Sequence, residues 1–420
     1  MLLPLMDKYG PTINWNLTGS LPRGLTFTRT QAADGTVTAF DASGSLAYYN
    51  ANQPRFDYDP VTHEPLGLLI EDQRQNLVRN NTNVGGVAGS PGTLPTNWDI
   101  YTSGSGLTRT LSYGTEFGMP YVDVRLTGTP VGADDYSVFF EDGLAIPAVK
   151  NEVFTVSLLM RISAGSLSNI SAISVCADEN KSSGVWLEGG RVKVTVSDVL
   201  PSRPQYYTRT VSNDIAAYLR PRVLVQGTVG QPMDITLRIY LPQVEKGLSA
   251  SSRILTSGTA VTRAQDNLYT TNIPWFNPNE GTMFVQASAR ADSSVMLAEF
   301  NDNSFNNRVT CGEISGGATI VSNILFSEGI QQGNIQTNRA SATDTEHRVA
   351  HSWKLNQRFA TRNGVLGTPG TMADMPVGIT RLKFGDIAGG SSQYKINGTL
   401  RSFKYWNRAL SASELQRITT

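Results

Sequence analysis

The chain contains three histidines, and they are weighed first because imidazole serves both proton transfer and metal ligation near neutral pH. His347 and His351 stand four apart in HRVAH, a spacing that would put two ligands on one helix face. The flanking pattern alternates instead, with Val349, His351, Trp353 and Leu355 on one face, so the segment reads as a strand. Four residues of strand span roughly 13 Å, too far for both rings to bind one zinc ion. His351 is therefore expected to be a hydrogen-bonded, partly buried structural residue.

Carboxylates offer a second chemistry. The stretch QPRFDYDPVTHEPLGLLIEDQRQNL (53–77) crowds Asp57, Asp59, His63, Glu64, Glu71 and Asp72 around Pro54, Pro60 and Pro65. Asp57 and Asp59 alternate with Phe56 and Tyr58, which suggests an extended segment and a turn leading into the buried strand GLLIE. Arg55, Phe56, Asp57, Tyr58, Asp59 and Arg74 are read as a structural docking motif with paired charges, not as an acid–base site. DENKSSGVWLEGG (178–190) approaches a calcium loop through Asp178, Asn180 and Ser182. Gly184 comes one residue late, and Glu188 falls one short of the bidentate position. A polar hairpin turn is the simpler reading, with a calcium ion near Asp178 left open. No G-x-S-x-G elbow is present. No catalytic residue, metal site or cofactor is assigned.

Sugar recognition needs planar hydrogen-bonding groups beside an aromatic face. FNDNSFNNR (300–308) is the richest such cluster, with Asn301, Asp302, Asn303, Asn306 and Asn307 around Phe305. Trp275, Tyr206 and Tyr207 are further candidates.

These residues must be positioned by β-structure. VFTVSLLMRI (153–162) puts Phe154, Val156, Leu158, Met160 and Ile162 on one face; DITLRIYL (234–241) does the same with Ile235, Leu237, Ile239 and Leu241. RVKVTVSDV (191–199) and YVDVRL (121–126) repeat the pattern, which marks strands with one buried face. A second strand-rich block follows TTNIPWFNPNEG (270–281). Ser411 and Glu414 form a capping box, with Leu410 and Leu415 as its staple, so a short helix is expected after residue 411. TFTRTQAADG (26–35) is echoed by TAVTRAQDN (259–267), too briefly to establish duplication.

In 420 residues there are 39 Gly and 20 Pro, which fits a loop-rich all-β protein of more than one domain. Lys plus Arg and Asp plus Glu number 35 each, so no net field draws nucleic acid or an anionic membrane. No apolar run reaches membrane-spanning length, and no membrane insertion is expected. The start MLLPLMDKYG lacks a signal-peptide pattern. Cys176 and Cys311 are expected as buried free thiols of a protein made in a reducing cytoplasm, with an intermolecular disulfide as the alternative.

The run FDASGSLAYYNANQPRFDYDPVTHEPLGLLIEDQRQNL (40–77) resembles a motif of tailed-bacteriophage virion proteins, F-D-x-x-G followed by N-x-P-R-F-D-x-D-P-x-T-G-E and R-x-N-L. His63 replaces the usual glycine of the T-G-E turn. IYLPQVEKGLSASSRILTSGTAVTRAQDNL (239–268) resembles the closing strand and exit of a carbohydrate-binding-module-like jelly roll. Residues 281–418 resemble a concanavalin A-like (laminin-G-like) domain, ending in LRSFKYWNRALSASELQRI.

The resemblance implies a virion-attachment region over 1–80, a jelly roll over 81–270 and a lectin-like domain over 271–420. It also implies a head-fibre, tail-fibre or decoration subunit that is not an enzyme. Its expected partners are other virion proteins, copies of itself (a trimer being the guess) and host surface glycans. The alternatives are a tailspike-type depolymerase or esterase, and a purely structural subunit without glycan binding.

Overall fold

The computed structural model describes residues 10–30, 37–102, 106–131, 135–289, 295–314, 320–338, 346–388 and 394–420. Among these residues the architecture is all-β, with two β-sandwiches and one short helix, Ala412–Thr419.

In the first sandwich, a five-stranded sheet runs Gln205–Thr210, Val153–Gly165, Met233–Lys246, Met119–Gly128, Leu107–Glu116. The facing sheet runs Trp186–Lys193, Ile170–Asn180, Tyr218–Gly227, Asp135–Phe139, Asp99–Thr102, with Ile146–Pro147 also paired to Tyr218–Gly227. Phe154, Val156, Leu158, Met160, Ile235, Leu237 and Ile239 meet Val175, Val223 and Val225 in the core, as the alternation requires.

That alternation breaks at Leu241 for a physical reason. The pairing of Val153–Gly165 with Met233–Lys246 slips between Ser157 and Leu159, and Leu241 takes a φ of 44°. A bulge of this kind re-aims side chains. Leu241 therefore joins the outward-facing Tyr240, with Leu46, Met119, Leu159 and Leu200, in a small cluster apart from the main core. Leu241 does not face inward as its sequence position suggests. The strand expected over 191–199 stops at Lys193, although Val196 still reaches the core.

The second sandwich opposes two larger sheets. One runs Val365–Leu366, Gln357–Arg362, Glu346–Lys354, Glu280–Ser288, Gly398–Trp406, Pro65–Ile70, Phe56–Tyr58, with Ile13–Asn16 also on Gly398–Trp406. The other runs Thr26–Thr28, Asn267–Thr270, Arg381–Phe384, Val295–Asn301, Arg308–Ile314, Ile320–Ser327, Ile330–Asn338. The N-terminal region is thus an extended ribbon whose short strands are hydrogen-bonded into both sheets of this sandwich. Leu68, Ile70 and Leu17 lie in the same core as Val285, Trp353 and Tyr405. Asn267–Thr270 pairs with Arg381–Phe384, so it too belongs here.

The terminal helix begins as its capping box requires. Ser411 Oγ accepts from the Glu414 N–H, and Glu414 Oε2 accepts from the Ser411 N–H at 2.7 Å. Leu410 and Leu415 pack with Phe284, Ala350 and Trp406.

His63 adopts a φ of 62° in the turn closed by its own N–H on the Asp59 carbonyl, 2.9 Å away. This left-handed slot suits glycine, the residue of the resembled motif, because a Cβ there costs about 1 kcal/mol or more. His63→Gly is therefore expected to stabilise the folded chain by about 1 kcal/mol. A urea midpoint unchanged or lower than that of the parent would refute the assignment.

Candidate functional site

Arg55 enters the strand Phe56–Tyr58 with its side chain fully buried. Its Nη2 donates to Asp266 Oδ2 at 2.5 Å and lies 3.0 Å from Glu71 Oε2. Its Nη1 donates to the Thr38 carbonyl at 3.0 Å and to Ser252 Oγ at 2.7 Å. Asp266 also accepts from Arg29 Nη1 at 3.1 Å and from the Glu71 N–H at 2.9 Å. Arg263 stands 3.6 Å from Glu71 and 4.0 Å from Asp266, and donates to the Asp72 carbonyl at 2.8 Å. Ser252 gives Glu71 both its N–H (2.7 Å) and its hydroxyl (2.6 Å). Lys395 donates to the Asp266 carbonyl at 3.0 Å.

The segments that carry the resemblance thus meet in one buried ion network. Arg29 and Arg263 occupy the matching positions of the two echoed stretches, TFTR and AVTR, so the echo places two guanidiniums around one carboxylate. Residues 31–35 of the first stretch lie outside the described residues. Burial pushes Glu71 up, but Arg263 and Arg55 outweigh it and hold the carboxyl far below the usual range. Burial, aided by neighbouring guanidiniums, lowers Arg29 and Arg263.

The other docking residues have different work. Asp59 Oδ1 accepts from the N–H groups of Val61 (2.8 Å) and Thr62 (2.9 Å), building the turn. Phe56 packs half-buried against the second core, and Tyr58 Oη donates to the Thr18 carbonyl at 3.4 Å. Arg74 lies 3.5 Å from Asp72. Asp57 Oδ1 accepts from the Phe40 N–H at 2.9 Å. Sequence reasoning found Arg55 but assigned no role to Arg29, Glu71, Arg263 or Asp266.

Above the network lies a cleft of about 280 Å³. Its walls come from the hairpin Val37–Phe40/Leu46–Tyr49 (Phe40, Leu46), the motif (Asp57, Asp59), the first sandwich (Arg203, Arg253) and the second (Glu346, Arg401). Burial pushes the Asp57 carboxyl up to about 6, and the nearby Glu71 charge adds to the shift.

The Asn-rich turn is largely engaged within the protein. Asn301 is buried; its Nδ2 donates to Glu299 at 2.8 Å, and its Oδ1 accepts from the Asn303 N–H and from Arg381 Nε. Asp302 accepts from Ser304 and from Asn307 Nδ2. Asn307 Oδ1 ties in the N–H groups of Glu328 (3.0 Å) and Val377 (3.1 Å). Asn306 lies beside Gly329. Phe305, 45% exposed with Arg308 over its ring, is the open aromatic face of this turn.

Trp275 packs against Trp15, Phe300 and Tyr405. Tyr206 is exposed, whereas Tyr207 is half-buried against the first core. Trp186, which the sequence reading passed over, is 59% exposed. It precedes Gly189, which abuts the Asp178 carboxylate. Asp178 is paired with Arg222 (2.8 Å) at the start of a hairpin, and Asn180 donates to the Gly184 carbonyl at 2.9 Å.

His351 is fully buried, with Nδ1 2.7 Å from the Thr310 carbonyl and Nε2 accepting from Arg358. Burial, then the Arg358 charge, holds it well below the usual histidine range, so the ring is neutral. His347 Nδ1 accepts from Arg362 Nε at 3.0 Å. Both cysteines are buried and enter no disulfide within the chain, and burial raises the thiol of Cys311.

No family model matches the chain, and no curated protein matches it. Among solved structures, the carbohydrate-binding module CBM40 of Ruminococcus gnavus IT-sialidase, bound to alpha2,3 sialyllactose, aligns at 14% identity and a TM-score of 0.32, covering 36% of this chain and 90% of that one. The CBM22-1-CBM22-2 tandem of Paenibacillus barcinonensis Xyn10C aligns at 10% identity and 0.24, covering 78% and 96%. Domains LG4-5 of the mouse laminin alpha1 chain align at 12% and 0.22, covering 64% and 88%.

Replacing Asp266 removes the carboxylate that Arg29 and Arg55 both contact. Breaking a buried pair from one side costs about 3–5 kcal/mol, so Asp266→Asn should lower unfolding free energy by that order in urea titrations. A loss under about 1 kcal/mol would contradict the network's role. Asp57 has the opposite sign. Its folded value of about 6 exceeds the unfolded carboxyl value of about 3.9. It therefore contributes stability below pH ~4 that is lost as pH rises through ~6. Asp57→Asn should match the parent at pH 4 and exceed it by about 1 kcal/mol at pH 7.5; a constant difference across that window would refute this.

Proposed function

We propose that the chain is a non-enzymatic structural subunit of a bacteriophage particle, made in the host cytoplasm and carried on the virion as a head-fibre, tail-fibre or decoration protein. Its two β-sandwiches serve as adhesion modules for host-surface glycans. The observation that carries this reading is the convergence of the resemblance-bearing residues, Arg55, Glu71, Arg263 and Asp266, on one buried ion network. Such a network fixes the ribbon and sandwiches in register; its carboxylates face guanidiniums, and none is left as an acid or base for a substrate. Rigid display on a particle needs this property, and weak sugar contacts multiplied over many copies then give avidity. Self-association, a trimer included, fits that display.

Trp186, Tyr206 and Phe305 are among the exposed aromatic faces available for sugar stacking. A second reading, a structural subunit that binds only its virion neighbours, is favoured by the internal hydrogen bonds of Asn301 and Asn307 and the packing of Trp275.

Purified full-length protein is expected to retain host cells or their extracted polysaccharide on a surface, without releasing reducing ends or acyl groups. Product release would instead establish the depolymerase or esterase alternative. Failure to bind any host glycan, with the protein found at inter-subunit contacts in virion micrographs, would establish the second reading.

A further inference from the structure

The cleft between the sandwiches holds charges that the fold does not use. Among the described residues, Arg203, Arg401 and Glu346 line it and their side chains enter no ion pair or hydrogen bond within the chain. Asp57, also on its wall, has one carboxylate oxygen on the Phe40 N–H and no cation in contact. By contrast, Glu71 and Arg253, which also line it, are engaged by Ser252 and Ser157 respectively. Arg203 and Glu346 are exposed and Arg401 is half-buried at the cleft, so all three can reach an external partner there.

The mixture of signs narrows the ligand. Guanidiniums match a carboxylate through two parallel N–H donors. Carboxylates on the same walls repel a bare anion but accept from hydroxyls. About 280 Å³ lies just under the roughly 300 Å³ at which pockets for drug-sized molecules begin, which suits one sugar ring. Phe40 and Leu46 supply apolar surface for its C–H face.

We propose that this cleft binds a single hexuronic acid residue of a polysaccharide, with Arg203 and Arg401 on its carboxylate and with Asp57 and Glu346 accepting its ring hydroxyls. The inference rests on the glycan-adhesion reading and specifies where and what class of sugar is held. None of the sequence-derived sugar candidates lies in this cleft, because it forms only where the hairpin, the motif and both sandwiches meet.

Calorimetric titration of the full-length protein with D-glucuronic acid, D-glucose, L-glutamate and acetate tests it. Glucuronic acid should bind with a millimolar Kd, and the other three at least tenfold more weakly. Arg401→Gln and Arg203→Gln should each weaken glucuronic acid binding at least tenfold while leaving the melting temperature unchanged, since both side chains lack partners. Absence of glucuronic acid binding would overturn the proposal. So would equal binding of glutamate or acetate, or full affinity in both variants. Host-cell adhesion separates the two levels: adhesion that persists in the Arg203→Gln/Arg401→Gln double variant removes the cleft as the sugar site and leaves the adhesion reading standing. A parent protein that adheres to no host glycan removes the reading itself.

Discussion

Asp266 is the residue on which the arrangement turns. One carboxylate, wholly buried, receives Arg29 from the start of the ribbon, Arg55 from its middle and the Glu71 N–H from its end. Its own backbone carbonyl takes Lys395 from the second sandwich. Desolvating such charges is expensive, and a well-packed apolar replacement would be as stable or more so. Arg55 Nε and Arg263 Nε even lack acceptors. The network is therefore better understood as fixing register than as adding stability. Apolar strands slide at little cost, whereas three guanidiniums around two carboxylates fit in one arrangement.

That constraint explains the path of the chain. The ribbon supplies Ile13–Asn16, Phe56–Tyr58 and Pro65–Ile70 to one sheet of the second sandwich and Thr26–Thr28 to the other. It then joins the first sandwich, where the Leu77 N–H bonds to the Val244 carbonyl and Asn76 Nδ2 to that of Ile254. Between these passes, the hairpin Val37–Phe40/Leu46–Tyr49 lays Leu46 and Phe40 against Leu159, Tyr240 and Leu241. Val153–Gly165 is buried on both faces along much of its length, with Leu159 under the hairpin. The cleft is the space left where these layers fail to close.

Much of the fold was legible in the sequence because alternation and capping are local signals. Phe154 to Met160 and Ile235 to Ile239 took the expected face, and Ser411 with Glu414 opened the helix. Leu241 escaped, since the bulge that turns it depends on its pairing partner. The network was half legible. Arg55 stood out among prolines and aromatics, but its partner Asp266 lies 211 positions away, beyond any periodic pattern. Glu71 looked like one acidic residue among many. The echoed T-R of residues 28–29 and 262–263 was the one signal that could have drawn Arg29 and Arg263 together. His351 was readable as structural from the strand period alone, although Arg358, its partner from the next strand, was not.

The central claim is that the ion network makes the N-terminal ribbon an integral part of the folded body. Native-state hydrogen exchange of the full chain, followed by peptide mass spectrometry, tests it most directly, because local opening energies separate integral elements from fraying ones. The account predicts that peptides covering 55–72 are protected within about tenfold of those covering 398–406, the strand they pair with. Exchange of 55–72 several orders of magnitude faster, with 398–406 still protected, would contradict it.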